Sequence, residues 1–182
     1  MNGVTFQLAD TQKIHDEKEF TGYRVFLIAH LDNMRDKFHL DIATGETLVP
    51  PQISYRYQPL IQKDESFELF IYRTERMLAE KLQTILERRT LNTRSKDFFD
   101  VYLFSQLNVI DEKILYEAFH FVIQERNSEN DVNNWKIILN ELHDSEEMKH
   151  RWSIYQRDNR YVEDLSFEET LQSVENYLLM LS

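Results

Sequence analysis

The hydrophobic period of the chain changes once, near Thr74, and this change limits the folds that the sequence can adopt. Before Thr74, short segments alternate between apolar and polar residues or are apolar throughout, which is typical of β-strands. The nearly continuous apolar segment YRVFLIAHL predicts a central strand. The other predicted strands are GVTFQLA, KFHLDIA, ISYRYQPL and FELFIYR, with breaks at TGE and VPP.

From Thr74 onward the apolar residues recur at helical spacings of three and four. The stripe of the first helix consists of Leu78, Leu82, Ile85 and Leu86. Further helices are predicted after NTRS, at 111–126, and near 134–143, 145–158 and 166–181, with NSENDVNN as a polar break. In SFEET, Ser166 and Glu169 have the spacing of a capping box, which marks a helix start.

Strands followed by helices predict an α+β protein, in which a mixed sheet is packed against or followed by a helical bundle. We expect one region at 1–73 and a second at 74–182. The pattern leaves open whether the two regions share one core.

Composition excludes several classes of protein. The chain of 182 residues contains no cysteine, which excludes disulfides, thiol catalysis and thiolate-bound zinc. No segment reaches the ~20 apolar residues that span a bilayer, and the N-terminus lacks the pattern of an export signal. With three glycines and no GxGxxG or P-loop pattern, a glycine-rich phosphate loop is excluded as well. We therefore expect a cytoplasmic protein that is not attached to a membrane.

Positive charge is concentrated in one part of an acidic chain. The net charge is -11, yet residues 73–96 carry seven basic and three acidic side chains. The acidic remainder repels nucleic acid at long range, so wrapping of a duplex is not expected. A local basic strip can hold a small polyanion; the alternative is that these cations only coat a solvated helix face.

Two cations of the first helix suit a triphosphate. Lys81 and Arg88 are seven residues apart, which places them on one flank about 10 Å from each other. Lys81 borders the apolar stripe, so its side chain must reach outward or face a cavity. Arg94 and Lys96 extend the positive charge into the following loop, and such spread cations match the length of a triphosphate.

Three aspartates are candidates for chemistry. Asp97 falls in the first turn of the second helix, where the helix dipole alone would stabilise it. Asp100 faces the same way one turn later, and the pair could hold Arg94, Lys96 or a ligand. Asp41, in FHLDIAT, lies opposite the apolar face of a predicted interior strand, where a carboxylate is either solvated or part of a Mg²⁺ site.

Together, the segments LDI, YRTE, AEKL and KDFFD resemble the AbiEii-like abortive-infection toxins, nucleotidyltransferase-fold proteins of bacterial toxin–antitoxin systems that act in phage defence. The resemblance implies transfer of a nucleotide from Mg²⁺-bound NTP to an RNA, such as a tRNA, or to a protein, and it implies a cognate antitoxin. By the same resemblance Asp41 is a metal ligand, Lys81 contacts the nucleotide phosphates, and Asp97, supported by Asp100, is required for transfer. The secondary phosphate contacts would be Arg88, Arg94 and Lys96.

One part of the family pattern is not found. The family opens with Gly-Ser or Gly-Gly and a strand carrying Asp-x-Asp, which supplies two of three metal-binding carboxylates; neither motif occurs before Asp41. We therefore expect a shortened, inactive nucleotidyltransferase as one outcome. The alternatives are a non-catalytic nucleotide-binding or interaction module that dimerises through an exposed sheet edge, and a metal-dependent nuclease.

Overall fold

The computed structural model describes residues 3–14, 22–43, 45, 47–60, 65–107 and 109–182. These residues form five strands followed by seven α-helices, which confirms the predicted α+β class. Contacts divide the chain into an N-terminal unit, Met1–Thr47, and a C-terminal unit, Leu48–Ser182. The strand-to-helix change lies at residues 73 and 74 as expected, while a functional division at that point stays a prediction.

The N-terminal unit is a three-stranded antiparallel sheet. Its strands are β1 (Thr5–Ile14), β2 (Gly22–Leu31) and β3 (Met34–Ile42), with β2 in the centre and a bulge in β1 between Leu8 and Asp10. The predicted central strand is confirmed. The expectation that Asp41 lies on an interior strand is wrong, because within the described residues β3 pairs only with β2.

The two faces of this sheet differ in chemistry. The register places alternate residues of the three strands together, and one face is largely apolar. We call it the apolar sheet face; it contains Phe6, Leu8, Val25, Leu27, Phe38, Leu40 and Ile42. Several of these side chains are exposed, Phe6 to 64% and Leu40 to 50%. Arg24, His39 and Asp41 lie on the opposite face.

The C-terminal unit begins with an antiparallel hairpin and continues with helices. The hairpin pairs β4 (Ile53–Tyr57) with β5 (Phe67–Ile71). The helices are α1 (Thr74–Arg88), α2 (Ser95–Leu107), α3 (Glu112–Arg126), α4 (Glu129–Asn133), α5 (Trp135–Asp144), α6 (Glu146–Asp158) and α7 (Phe167–Leu181). Short 3₁₀ turns lie at Arg89–Leu91 and Arg160–Val162.

Most of the predicted elements are confirmed, and two details differ. The strands form two antiparallel sheets, where one mixed sheet was expected. The break NSENDVNN contains the short helix α4. The turn predicted at TGE falls partly outside the described residues, although Gly45 has the left-handed φ of 82° that suits a turn. The capping box at Ser166 and Glu169 is present as predicted.

The core of the C-terminal unit forms around α1, which packs against α2 and α3. The predicted stripe of α1 is confirmed, since all four of its residues are fully buried. Helix α2 packs on α7, where the rings of Phe98 and Phe167 lie 5.3 Å apart. No helix in the described part of the chain is long and apolar enough to cross a membrane.

A buried arginine fixes the position of α1. Arg76 is only 2% exposed, and its guanidinium donates to Glu80 at 2.7 Å, to Glu125 of α3 at 3.0 Å and to the carbonyl of Val49 at 3.3 Å. Burial lowers the pKa of Arg76, but the bonds to Glu80 and Glu125 raise it by more, so the net shift is upward. This cation of the basic strip is therefore a structural residue.

Candidate functional site

Lys81 and the two aspartates of KDFFD meet between α1 and α2. The Nζ atom of Lys81 lies 2.9 Å from Oδ1 of Asp97 and 2.7 Å from Oδ2 of Asp100. The Nζ atom of Lys96 lies 2.8 and 2.7 Å from the two carboxylate oxygens of Asp100. We call these four residues the Lys81 cluster. The predicted alignment of Asp97 with Asp100 is confirmed by their shared partner.

Local sequence explains how the two helices present these groups. Lys81 immediately precedes the buried Leu82 in the sequence, so the aliphatic part of its side chain lies beside the apolar stripe, at the edge of the core. Its side chain is 20% exposed, and it extends toward α2. Asp97 lies in the first turn of α2, where the helix dipole favours a negative charge.

Hydrogen bonds from side chains hold the loop between α1 and α2 in place. Arg89, with a left-handed φ of 48°, ends α1. The side-chain oxygen of Asn92 then accepts the backbone N–H of Arg94 at 2.9 Å. From α6, Arg151 donates to the carbonyls of Thr90 at 2.8 Å and Asn92 at 3.1 Å. The spacing between Lys81 and KDFFD is therefore fixed by bonds from a distant helix.

The cluster keeps Lys81 charged. Partial burial lowers the pKa of Lys81, while the hydrogen bonds to Asp100 and Asp97 and their negative charges outweigh this and raise the pKa above its usual value. Lys81 is thus an ammonium group at neutral pH and can stabilise negative charge, but it cannot act as a base. Two cations and two anions make the cluster neutral in formal charge.

The other predicted phosphate contacts lie outside the ion pairs of the cluster. Arg88, in the last turn of α1, and Arg94, before α2, are exposed to solvent. Arg89 is instead bound to Asp131 at 3.1 Å and to Glu141 at 3.7 Å. The basic strip therefore contains both paired, structural cations and cations such as Arg88 and Arg94 that face solvent, where a ligand can reach them.

Asp41 lies in the N-terminal unit, while the Lys81 cluster belongs to the C-terminal unit. Its two carboxylate oxygens accept bonds from Arg24 at 2.7 and 2.8 Å across the β2–β3 pair. Among the residues that the structure describes, no three His, Asp or Glu side chains are placed to hold a metal ion.

Residues of α6 lie beside the Lys81 cluster, and the sequence did not predict them. A cavity of about 500 Å³ lies between the first turn of α2 and α6. Its lining includes Arg94, Lys96, Asp97, Ile154, Tyr155 and Asn159. No motif identifies the α6 residues, because they lie more than fifty positions after the first turn of α2 in the sequence. Only knowledge of helix packing could have found them.

Comparison with known proteins places this arrangement in a family. The family described as nucleotidyl transferase AbiEii toxin, type IV toxin–antitoxin system, matches residues 2–173, which is nearly the whole chain. No curated protein and no solved structure matches. The resemblance drawn from the LDI, AEKL and KDFFD segments is confirmed, and the family implies a cognate antitoxin. The chain belongs to the AbiEii nucleotidyl transferase toxins of type IV toxin–antitoxin systems.

Proposed function

We propose that the chain is a nucleotidyltransferase toxin that binds an NTP at the Lys81 cluster and transfers a nucleotide to an RNA or protein acceptor. The observation that supports this function is the contact of Lys81 with Asp97 and Asp100, which joins the AEKL and KDFFD motifs in one place. The proposal places the activity in the bacterial cytoplasm, as part of phage defence.

The cations have separate roles in this proposal. Lys81 stabilises negative charge that develops on the phosphates during transfer, since catalysis of this reaction class is largely electrostatic. Arg88, Arg94 and Lys96 bind the outer phosphates. Because Lys81 is already paired, the nucleotide must compete with Asp97 and Asp100 for its ammonium group.

Asp97 receives the proton in the proposed reaction. A hydroxyl oxygen of the acceptor forms a bond to the α-phosphorus of the NTP. The bond from that phosphorus to the bridging oxygen breaks, and pyrophosphate leaves with the bonding electrons. The hydroxyl proton passes to the carboxylate of Asp97, and Asp100 keeps Lys81 and Lys96 in place.

Mg²⁺ enters this proposal with the nucleotide. The ion prefers phosphate oxygens together with one or two carboxylates and several waters. Asp41, the metal ligand that the family resemblance implies, stays a prediction, and its carboxylate would have to release Arg24 to bind an ion.

A transfer assay tests the proposed function. The purified chain is incubated with each α-³²P-labelled NTP, MgCl₂ and either total tRNA or protein extract from its cognate host. We expect label in one acceptor, and we expect Lys81→Gln and Asp97→Asn to abolish it. The matched control is Lys113→Gln, an exposed cation of α3 outside the site. Absence of label with every NTP would reject catalysis by this chain.

A non-catalytic module is the second candidate. It is favoured by one observation, that no described group of three His, Asp or Glu side chains can hold a metal. In this case the chain binds NTP through Lys81, Arg88 and Arg94 without turnover. Calorimetry that detects NTP binding, together with no label in the transfer assay, would support this candidate over the enzyme.

We also propose that two copies pair through the N-terminal sheet. In the described residues β1 and β3 are its outer strands, and its apolar sheet face is exposed. Three strands of nine or ten residues present a face of roughly 450 Å². Two such faces together bury roughly 900 Å², which is the size of a weak or transient interface.

A further inference from the structure

The cavity between α2 and α6 shares residues with the Lys81 cluster. Asp97 lines the cavity and also accepts the bond from Lys81 at 2.9 Å. Lys96 lines it as well and binds Asp100. The cavity volume of about 500 Å³ falls within the range of small-molecule sites and is sufficient for one nucleoside.

The two walls of the cavity differ in chemistry. The wall at the start of α2 carries the exposed cations Arg94 and Lys96 and the carboxylate of Asp97. The α6 wall carries the side chain of Ile154 and the ring of Tyr155 beside the charged groups of Arg151 and Asp158, and the amide of Asn159 follows the helix. A ligand that binds Arg94 and Lys96 and also stacks on the ring of Tyr155 needs anionic groups at one end and a flat ring at the other, as a nucleotide has.

Tyr155 is held firmly as part of this wall. Its hydroxyl lies 2.9 Å from the hydroxyl of Tyr161, and its ring lies 5.5 Å from the ring of Trp152. Asn159 donates its side-chain N–H to the carbonyl of Tyr155 at 2.8 Å. Burial, the hydrogen bond with Tyr161 and the negative charge of Asp100 raise the pKa of Tyr155 above its ordinary value, so its phenol stays neutral at physiological pH.

We propose that this cavity binds the nucleoside half of the donor NTP, with the base against Tyr155 and its phosphates toward Arg94 and Lys96. The inference rests on the proposed function, because it takes the Lys81 cluster as the phosphate site. Lys96 belongs to the Lys81 cluster and also lines the cavity. A nucleotide whose phosphates bind Lys96 therefore has its nucleoside next to the cavity. Tyr155 is then a binding residue that neither the motifs nor the family assigns.

Comparison of two ligands in one binding experiment tests the assignment. Calorimetry measures the affinity of the full chain for each of the four NTPs and for inorganic tripolyphosphate, which has no nucleoside. We expect at least one NTP to bind more tightly than tripolyphosphate. Tyr155→Ala should weaken that NTP about 10-fold or more, as for other base–aromatic stacks, and leave tripolyphosphate unchanged.

Two further variants make the result specific. Tyr155→Phe keeps the ring and should retain the affinity for NTP, while Tyr116→Ala removes an exposed tyrosine of α3 and should change nothing. Unchanged binding of tripolyphosphate by Tyr155→Ala shows that the variant is folded. Equal affinity of the parent chain for every NTP and for tripolyphosphate would overturn the nucleoside site and leave the phosphate site standing. No binding of either ligand would reject the proposed function and this inference together.

A photo-crosslink gives a readout that does not depend on affinity. ATP with an azido group on the base is bound to the full chain, irradiated and mapped by mass spectrometry. We expect labelled peptides from α6 that contain Tyr155, and loss of the label in the presence of excess ATP. Specific labelling confined to another part of the chain would overturn the assignment.

Discussion

Lys81 of α1 and Asp100 of α2 form an ion pair with 2.7 Å between Nζ and Oδ2, and the carboxylate is only 12% exposed. The same ammonium group also binds Asp97, so one lysine joins the two helices that carry the motifs. The residues proposed for function thus also hold the structure together, and the two roles can be separated by experiment.

Replacement of Lys81 should lower the stability of the chain. Lys81→Met leaves Asp97 and the half of Asp100 that faced Lys81 without their cation in a largely buried place. Removal of one partner from such a pair costs about 3 kcal/mol of unfolding free energy. Urea denaturation measures the loss. Lys96→Met is the matched control; its side chain is 65% exposed, so we expect less than about 1 kcal/mol. Equal losses in the two variants would contradict the structural role of Lys81.

The ion pair of Lys81 should also produce a loss of stability at high pH. The pKa of Lys81 is raised in the folded chain above the ordinary value of 10.5. Its contribution is therefore complete below pH 10.5 and is lost as the pH rises through the higher, folded value. Urea midpoints at pH 8 to 12 should fall more steeply for the parent chain than for Lys81→Met. The tyrosines with raised pKa are present in both proteins, so parallel curves would show that Lys81 is not the cause.

Replacement of Arg76 should destabilise the chain although Arg76 has no role in the proposed reaction. Arg76→Met keeps most of the buried volume but leaves Glu80, Glu125 and the Val49 carbonyl without their donor. The two glutamates are partly solvated, so we expect a loss of about 2 kcal/mol. Thermal and urea unfolding measure it. Arg88→Met, on the exposed side of the same helix, should change stability by less than about 0.5 kcal/mol; a similar effect of both changes would refute the prediction.

Pairing through the apolar sheet face predicts a variant that is monomeric. Phe6→Lys combined with Leu40→Lys places four charges in the dimer interface, two from each copy. Sedimentation at several concentrations should then show a monomer, where the parent chain shows a concentration-dependent dimer. Lys37→Glu changes the opposite face and should leave the dimer intact. A parent chain that is monomeric at all concentrations would exclude this interface.

Local pattern was sufficient to predict most of the strands and helices and the alignment of Asp97 with Asp100. The apolar stripe of α1 has the spacing that any helix with a buried face shows. The shared direction of Asp97 and Asp100 follows from helix geometry alone, because they are three residues apart. These features depend on neighbours within a few residues, so they can be read from sequence. The same argument explains why the start of α2 and both ends of α7 were predicted closely.

Features that depend on distant residues could not be predicted in this way. The outer position of β3 depends on which strands pair, and the alternation of KFHLDIA is the same at an edge as in the interior. Likewise, Arg76 and Lys81 look alike in sequence, as cations beside an apolar stripe. Only the partners from other elements, Glu125 for Arg76 and Asp97 for Lys81, distinguish their roles.

The hydrogen bonds from Arg151 to the carbonyls of Thr90 and Asn92 bear on which members of such a family have a working site. Every residue of the AEKL and KDFFD motifs precedes α6, so a shortened gene that ended before Arg151 would still encode both motifs. Its product would lack the hydrogen bonds from Arg151 that hold the loop between α1 and α2 in position. Intact motifs in such a gene would therefore record ancestry without a working geometry.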